Sequence, residues 1–267
     1  MDAYQQANLA LWNEWADIHA EKGGYDVPAF KAGKCSLKPF ELEEVGEVSG
    51  KTLLHLQCHF GMDTLSWARR GALVTGADFS DRAIAQARDL ARQVGMQARF
   101  ICSDLYALPE VLEGRFDIVF TSYGVLCWLR DLQRWAEIAA SYLKPGGTFY
   151  IAEFHPFMQV FDDEDPAELH VRNGYFYQPE PKEWTVHGSY ADREAVVRQP
   201  VEYEWTHSLG EIVSALTGAG LRIEFLHEFA VSVDQMLDCM EHTPDGWWKL
   251  RPGQPNLPLM FSIRATK

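Results

Sequence analysis

Short apolar runs alternate with helical patterns from about Thr52 onward, and this alternation constrains the fold more than any other feature. The predicted strands are TLLHL (52–56), LVTGAD (73–78), ARFICSD (98–104) and FDIVFTS (116–122). The fourth run is nearly continuous in β-branched and aromatic residues, which is typical of a strand buried on both faces. Helical spacing predicts helices over 62–70, 80–94 and 131–141. Such an alternation predicts an α/β protein with a doubly wound, parallel sheet.

The second half of the chain departs from this alternation and then returns to it. Lys144-Pro145-Gly146-Gly147 is predicted to end the third helix, and TFYIAEF (148–154) to form a fifth strand. The stretch 156–207 is rich in Pro, Tyr, Trp and acidic residues, and alternation around 175–177 predicts short strands there. Ser208 and Glu211 have capping-box spacing for a further helix, and LRIEFLHEF (221–229) and LMFSIRA (259–265) predict two final strands.

We therefore divide the chain into four parts. Residues 1–50 are predicted to be an N-terminal helical lid, and residues 51–155 the core that binds a ligand. Residues 156–207 are predicted to be an insertion that covers the substrate side of the sheet's carboxyl edge. Residues 208–267 return to the core.

Charge and cysteine usage limit the classes of partner. The formal net charge is −14 and no basic run occurs, which disfavours nucleic acid because phosphate contacts need clustered Lys and Arg. The N-terminus has no apolar segment of the secretory type, and the longest apolar stretch, 116–129, is too short to cross a bilayer. The five cysteines contain no CxxC pair, a pattern typical of reduced thiols. We predict a cytoplasmic protein with neither a membrane nor a nucleic-acid partner.

The loops after the first four strands are the candidate binding residues, since a parallel sheet binds ligands at its carboxyl ends. They are Gln57-Cys58-His59-Phe60-Gly61, Asp78-Phe79-Ser80, Ser103-Asp104-Leu105 and Ser122-Tyr123-Gly124-Val125. Gly61 lacks a Cβ and can let the backbone approach a ligand. Asp78 is placed to bind the hydroxyls of an adenosine ribose, and Asp104 an adenine amino group.

These segments resemble the class I S-adenosylmethionine-dependent methyltransferases. LLHLQCHFG, VTGADFS with Asp78, Asp104-Leu105 and LKPGG carry the resemblance, which covers roughly residues 51–153 strongly. HLQCHFGMDTLSWARRGALVTGADFS in particular is similar to a bacterial subgroup, with an HLQCHFG first motif, whose substrates are mostly unassigned. The resemblance implies a seven-stranded, mostly parallel Rossmann-like sheet with an antiparallel last strand and an inserted lid.

The resemblance also implies an activity, methyl transfer (EC 2.1.1.-) from S-adenosylmethionine to a nitrogen or oxygen of a small-molecule acceptor, with S-adenosylhomocysteine as product. It assigns the cofactor to Gln57, Cys58, His59, Gly61, Asp78, Phe79, Ser80, Asp104, Leu105 and Tyr123. Most of the family has an acid at the position of His55 and glycines at those of Gln57 and His59. The side chains of Gln57 or His59 are therefore expected to replace backbone contacts to the methionine end, and Trp12, Trp15, His19 and Tyr25 to cover it.

His155, Tyr123 and His19 are the candidate catalytic residues, with Glu153 as a further candidate base. His155 follows the fifth strand and is expected to face the acceptor, either as a general base or as an orienting group. Trp128 and His155 are predicted to bind the substrate.

Structural explanations stay open beside these roles. Asp78 can cap a helix, Asp104 and His155 can be turn residues, and the N-terminal aromatic residues and Trp128 can be ordinary packing. We treat Trp184, Trp205, Trp247 and Trp248 as structural. His55, Cys58 and His59 lack a fourth ligand on a common face, so no metal site is predicted, and Cys58 has no base to activate it as a nucleophile.

Two other classes of function remain for comparison. A non-catalytic module that binds S-adenosylmethionine or S-adenosylhomocysteine would keep Asp78 and Asp104, but would have no need of a long aromatic insertion. A nicotinamide-dependent dehydrogenase would need G-x-G-x-x-G, which residues 57–62 lack. A homodimer is left open.

Overall fold

The computed structural model describes residues 1–21, 24–161 and 168–267. Residues 22–23 of the predicted lid segment and residues 162–167 of the predicted insertion lie outside the described residues. The strands of the main sheet are β1 Thr52–Leu56, β2 Leu73–Asp78, β3 Arg99–Cys102, β4 Phe116–Ser122, β5 Leu143–Phe154, β8 Arg222–Phe229 and β11 Met260–Thr266. Two hairpins lie outside it: β6 Lys182–Thr185 with β7 Val201–Glu204, and β9 Met240–His242 with β10 Trp248–Leu250.

The main sheet has seven strands in the order β3-β2-β1-β4-β5-β11-β8. β1 pairs in parallel with both β2 and β4, and β11 runs antiparallel between β5 and β8. The strand order reverses between β1 and β4, so the loops after these strands diverge and open a crevice at the carboxyl edge. The predicted fold class is confirmed, including the antiparallel last strand.

Eight α-helices occur in the described ranges: α1 Ala3–Glu21, α2 Val27–Lys31, α3 Pro39–Val45, α4 Met62–Arg69, α5 Asp81–Gln93, α6 Leu108–Val111, α7 Leu132–Ser141 and α8 Leu209–Gly218. Side-chain caps begin three of the predicted helices, α5, α7 and α8. The Ser80 hydroxyl accepts the Ala83 N–H, and the Asp131 carboxylate accepts the Arg134 N–H. Ser208 and Glu211 form the predicted capping box. Helices α7 and α8 bury their apolar faces in one core cluster with β4, β5 and β11.

Two local predictions are wrong. Lys144-Pro145-Gly146-Gly147 does not separate a helix from a strand, because β5 begins at Leu143 and includes these residues. The register with β4 shifts between Phe116 and Ile118, and a Cβ on Gly147 would lie 2.9 Å from the Lys144 carbonyl oxygen, so the glycine accommodates an irregular ladder. Residues 175–177 form no strand, and the short strands of the insertion are β6 and β7.

Helix α1 lies against both the insertion and the core. The Asn8 amide donates to the Tyr203 carbonyl and accepts the Tyr203 N–H, each at 2.8 Å, which fixes α1 to β7. Asn13 donates to Asp81 and accepts from the Ser80 hydroxyl, which fixes α1 to the start of α5. The helix and the hairpin together therefore cover the carboxyl edge of the sheet. In the ranges given above, no helix combines the length and apolarity that crossing a bilayer would need.

Candidate functional site

A cavity of about 1190 Å³ lies at the carboxyl edge of the sheet. The loops after β1, β2, β3 and β4 all line it, together with α1, the 34–38 segment and the hairpin of β6 and β7. Single small-ligand sites in proteins usually measure about 300–1,000 Å³. The cavity is therefore large enough for two small molecules side by side.

Asp78 ends β2 and lines the cavity, as predicted. Its Oδ2 accepts the His59 N–H at 2.8 Å and its Oδ1 accepts the Ser80 N–H at 2.9 Å. Burial raises the pKa of this carboxyl to about 6, although the backbone donors lower it. Each oxygen keeps a second lone pair. Asp78 can therefore hold the first loop and still accept hydrogen bonds from a pair of ligand hydroxyls.

The loop after β1 keeps a glycine-type backbone without glycines. Gln57 and His59 have φ values of 55° and 50°, in the region where a Cβ is normally unfavourable. Side-chain anchors hold both residues: the Gln57 amide donates to the Val125 carbonyl at 2.9 Å, and His59 Nε2 lies 2.8 Å from His19 Nδ1. Gln57 Oε1 and His59 Nδ1 are buried and have no partner in the described part of the chain. Two polar atoms at this loop are thus available to a ligand.

Gly61 and Ser80 were both predicted to bind the cofactor, and of the two only Gly61 lines the cavity. A Cβ on Gly61 would lie 2.8 Å from the Phe100 ring and 3.0 Å from the Ala87 Cβ, at a φ of 82°. The missing Cβ therefore permits close packing of the first loop on β3 and α5. Gly61 also lines the cavity, and the approach of a ligand to its backbone stays a prediction. The Ser80 hydroxyl caps α5 and does not line the cavity.

Cys58 lines the cavity, and burial raises the pKa of its thiol well above the ordinary value, which disfavours a nucleophilic thiolate.

Asp104, Leu105 and Phe79 all line the cavity. Asp104 Oδ1 accepts the Tyr106 N–H at 2.9 Å and so stabilises the turn after β3, while its Oδ2 accepts from the Gln5 amide at 3.2 Å. The turn and binding explanations for Asp104 are therefore compatible, since the carboxylate is only half-buried. Asp104 also connects the core to α1, which sequence reasoning did not anticipate.

Tyr123 and Trp128 follow β4 and line the cavity. Tyr123 has a φ of 25°. Its hydroxyl lies near the buried carboxyl of Glu41 but forms no well-aligned hydrogen bond in the described ranges. The Trp128 indole donates to the Gly124 carbonyl, and its ring meets that of Trp12 edge-on at 5.4 Å. The N-terminal helix and the loop after β4 therefore share an aromatic wall of the cavity.

His155 does not face the cavity, and that prediction is wrong. Its backbone N–H donates to the Leu259 carbonyl at 2.9 Å, which keeps the residue paired to the chain beside β11. Its ring Nδ1 accepts the Phe157 N–H at 3.1 Å, and its Nε2 lies 2.9 Å from Glu228 Oε1 on β8. His155 is 5% exposed and absent from the cavity wall. The geometry therefore favours the turn residue among the two explanations considered.

His19 is fully buried behind the first loop and does not reach the cavity wall. Burial lowers the pKa of its imidazole to about 3 and lowers that of His59 well below the ordinary value. Both rings are therefore neutral at physiological pH. His19 supports His59, and the rings of Trp12, Trp15, Tyr25 and Tyr190 surround it.

Glu153 is a positioning residue. Its carboxylate accepts the N–H groups of Gly124, Val125, Leu126 and Phe154 at 2.5–3.1 Å and so orders the loop after β4. Burial raises its pKa against the effect of these donors. All its hydrogen bonds go to backbone, so it has little capacity left to act as a base.

Several residues of the site were not predicted. Lys38 and Asp63 line one side of the cavity, and Glu41 lies behind them; Tyr190, Glu202 and Glu204 come from the insertion. Trp184 and Trp205, which we treated as structural, also line the cavity. The loop after β4 could be predicted as part of the site from its sequence. Nothing in the sequence of residues 34–45 indicated that this segment would reach the sheet edge. Among the described residues no group of three or more His, Cys, Asp or Glu is arranged to hold a metal ion.

The known proteins to which this chain is similar include methyltransferases. A family model described as a methyltransferase domain matches residues 53–147. Ubiquinone biosynthesis O-methyltransferase of Coxiella burnetii is 32% identical over 111 residues, which are 42% of this chain and 47% of that protein. The chain thus spans about half the length of the curated relatives it matches.

Solved structures share the fold over most of the chain. An S-adenosylmethionine-dependent methyltransferase from Mesorhizobium loti superimposes with a TM-score of 0.60 at 19% identity, covering 89% of this chain and 100% of that one. Another such methyltransferase, from Clostridium acetobutylicum, superimposes with a TM-score of 0.59 at 15% identity, covering 96% of this chain and 98% of that one. Residues 53–147 therefore match a methyltransferase domain, and the chain has the seven-stranded fold of these solved S-adenosylmethionine-dependent methyltransferases.

Proposed function

We propose that the protein transfers a methyl group from S-adenosylmethionine to a small-molecule acceptor. One observation carries the proposal: Asp78 and Asp104, at the ends of neighbouring strands, line the same cavity with carboxylate lone pairs left over. That spacing suits a ribose and an adenine amino group of one nucleoside. The matched methyltransferase domain, which includes both residues, supports it.

The donor set also fits the methionine end of the cofactor. Gln57 Oε1 is a buried acceptor without a partner in the part of the chain described, and it lies in the first loop. An ammonium group is the natural donor to such an oxygen. In our proposal Gln57 therefore binds the cofactor's amino group, and the side chain replaces the backbone contacts that a glycine-rich loop would make.

To catalyse this reaction the protein mainly has to align the acceptor with the methyl group and exclude water. S-adenosylmethionine supplies a methyl group on a sulfonium, which leaves without needing an acid. Trp12, Trp15 and Trp128 form an aromatic wall that excludes water, and Glu153 holds the loop after β4 in place. Alignment of this kind is a large part of catalysis for an in-line displacement.

A small acceptor is favoured by the cover over the site. Helix α1 and the β6–β7 hairpin both line the cavity and hydrogen-bond to each other through Asn8 and Tyr203. The name of the Coxiella burnetii relative, a ubiquinone biosynthesis O-methyltransferase, also supports a small-molecule acceptor. A module that only binds cofactor would need no cavity of about 1190 Å³, since a single ligand fills less.

Calorimetry tests the proposal. We expect S-adenosylhomocysteine to bind and NAD not to bind. Asp78→Ala should weaken S-adenosylhomocysteine binding by about 2 kcal/mol, because it removes charge-assisted hydrogen bonds. Asp89→Ala, an exposed aspartate on α5, is the matched control and should bind like the wild type. Binding of NAD in place of S-adenosylhomocysteine would refute the assignment, and unchanged affinity in Asp78→Ala would place the ribose elsewhere.

A further inference from the structure

The hairpin of β6 and β7 turns two carboxylates towards the cavity. Glu202 and Glu204 are two residues apart on β7 and both line the cavity, as expected for one face of a strand. Tyr203 between them packs on Tyr4, with ring centroids 4.8 Å apart. Trp184, the cross-strand partner of Glu202, lines the cavity beside it.

This face of the hairpin lies next to the loop after β4. The Trp205 N–H donates to the Cys127 carbonyl at 2.8 Å. The carboxyl of Glu204 interacts with the Cys127 thiol, whose pKa is raised well above the ordinary value by burial and then by the nearby carboxylates, Glu202 included. The two glutamates are therefore on the β4 side of the cavity, past the strand ends that would hold the cofactor.

Glu202 is buried, and one of its carboxylate oxygens forms no hydrogen bond within residues 1–21, 24–161 and 168–267. It is 9% exposed, and the oxygen in question is Oε2. Burial, and then the charge of Glu204, raise the pKa of Glu202 to about 8. Lys182 is the cross-strand partner of Glu204, but it does not line the cavity. Its ammonium donates to Asn173 and lies over the Trp184 ring. A buried carboxyl in this state favours a ligand that brings a positive charge.

The rest of the cavity wall has the same sign. Nine acidic side chains line it against three basic ones, counted over the described residues. Two of the basic groups already have acidic partners, Lys34 with Asp26 at 3.4 Å and Arg193 with Asp238 at 3.3 Å. A negative, half-enclosed cavity concentrates cations and disfavours anions.

We propose that the methyl acceptor is an amine that binds as its ammonium ion, with its nitrogen donating to Glu202 beside the Trp184 ring. The Glu202 carboxylate would take one proton from the ammonium, and the lone pair left on nitrogen would form the bond to the methyl carbon. The carbon–sulfur bond would break in the same step, which gives S-adenosylhomocysteine and a methylated ammonium ion. The inference rests on the proposed function, because the acceptor shares the cavity with the cofactor. An alcohol brings no charge that would stabilise the ionised form of Glu202, and a carboxylate would oppose that ionisation and meet the acidic cavity wall. The hairpin thus selects the charge of the acceptor, while the core strands hold the nucleoside.

Three probes that share a phenylethyl group test this proposal: 2-phenylethylamine, 2-phenylethanol and 3-phenylpropanoate, each titrated into protein saturated with S-adenosylhomocysteine. In the wild type we expect the amine to bind at least about tenfold more tightly than the alcohol, since a hydrogen bond to a charged group is worth that much, and the carboxylate to bind most weakly. Glu202→Gln keeps the shape and should reduce the amine's preference to within about threefold. Glu183→Gln, on the outer side of the same hairpin where Glu183 accepts from the Tyr203 hydroxyl, is the control and should keep the preference.

Binding of S-adenosylhomocysteine to each protein is measured first and separates the two proposals. If S-adenosylhomocysteine does not bind the wild type, the proposed function fails. If it binds and the amine binds no more tightly than the alcohol, undetectable amine binding included, the cationic acceptor is overturned. Retention of the amine's preference in folded Glu202→Gln also overturns it, and the wild-type ranking decides the question if that variant does not fold.

Discussion

Replacement of Glu41 by glutamine examines the buried acid behind the cavity. Glu41 lies on α3, is 0% exposed, and accepts the Lys38 N–H through Oε2 at 2.7 Å. Its Oε1 forms no well-aligned hydrogen bond in the described ranges, and the carboxyl lies near the Tyr123 side chain. In Glu41→Gln the amide oxygen can still accept the Lys38 N–H, and the amide nitrogen can donate to Tyr123. The substitution therefore keeps the contacts of the protonated acid and removes its charge.

The magnitude follows from the pKa of this group. Burial, and then the charge of Asp63, raise the Glu41 pKa from its ordinary value of 4.5 to about 8. The folded state therefore holds the proton more tightly than the unfolded state. Between these two values the unfolded chain ionises while the folded chain stays protonated, so stability falls as pH rises. The slope is about 1.4 kcal/mol per pH unit, or about 4 kcal/mol between pH 5 and pH 8.

Chemical unfolding across that pH range measures the effect. Near pH 5 wild type and Glu41→Gln should have similar free energies of unfolding, and by pH 8 the variant should be the more stable by about 4 kcal/mol. Glu43→Gln, an exposed substitution on the same helix, should follow the wild-type profile. Parallel pH profiles for wild type and Glu41→Gln would refute the reasoning and show that the unfolded and folded states bind this proton equally.

Two further predictions concern contacts around the site. His155→Ala should lower the free energy of unfolding by about 1–3 kcal/mol, because it removes the contacts with Phe157 and Glu228, and should leave S-adenosylhomocysteine affinity unchanged. Thermal unfolding measures the first effect and calorimetry the second. An unchanged melting temperature would contradict a structural role. Asn8→Ala removes both hydrogen bonds to the Tyr203 backbone. If α1 covers the cofactor, this variant should bind S-adenosylhomocysteine about three- to tenfold more weakly than wild type. The control Gln6→Ala, at an exposed position of α1, should bind it with wild-type affinity. Equal affinities for Asn8→Ala and wild type would make α1 a packing helix only.

Local pattern was sufficient for most of the main sheet. Strands β1, β2 and β4 begin and end where apolar runs meet turn residues, and the Ser80, Asp131 and Ser208 caps mark helix starts. These signals lie within a few residues of one another, so neighbours along the chain determine them. Asp78 and Asp104 could be predicted as site residues for the same reason, because the carboxyl ends of parallel strands meet at one edge.

Side-chain direction past a strand end could not be predicted in this way. His155 follows β5 as Asp78 ends β2, yet its ring turns to Phe157 and Glu228, because pairing with the chain at Leu259 fixes its backbone. The missing Cβ of Gly61 leaves room for the ring of Phe100 on β3, a residue far along the chain. Both outcomes depend on which distant segment packs against the loop.

The sequence by itself determined the strand–helix alternation, the class of fold and the two carboxylates suited to a nucleoside, because each depends on local periodicity and on the general geometry of parallel sheets. Only the tertiary structure decided which segments complete the cavity. Glu41 and Lys38 precede the sheet, and Glu202 follows a long irregular stretch; nothing near them in the chain indicates their burial. Long-range contacts such as Asn8 with Tyr203 and Trp205 with Cys127 bring these segments to the sheet edge, and the charge and shape of this part of the cavity follow from that packing.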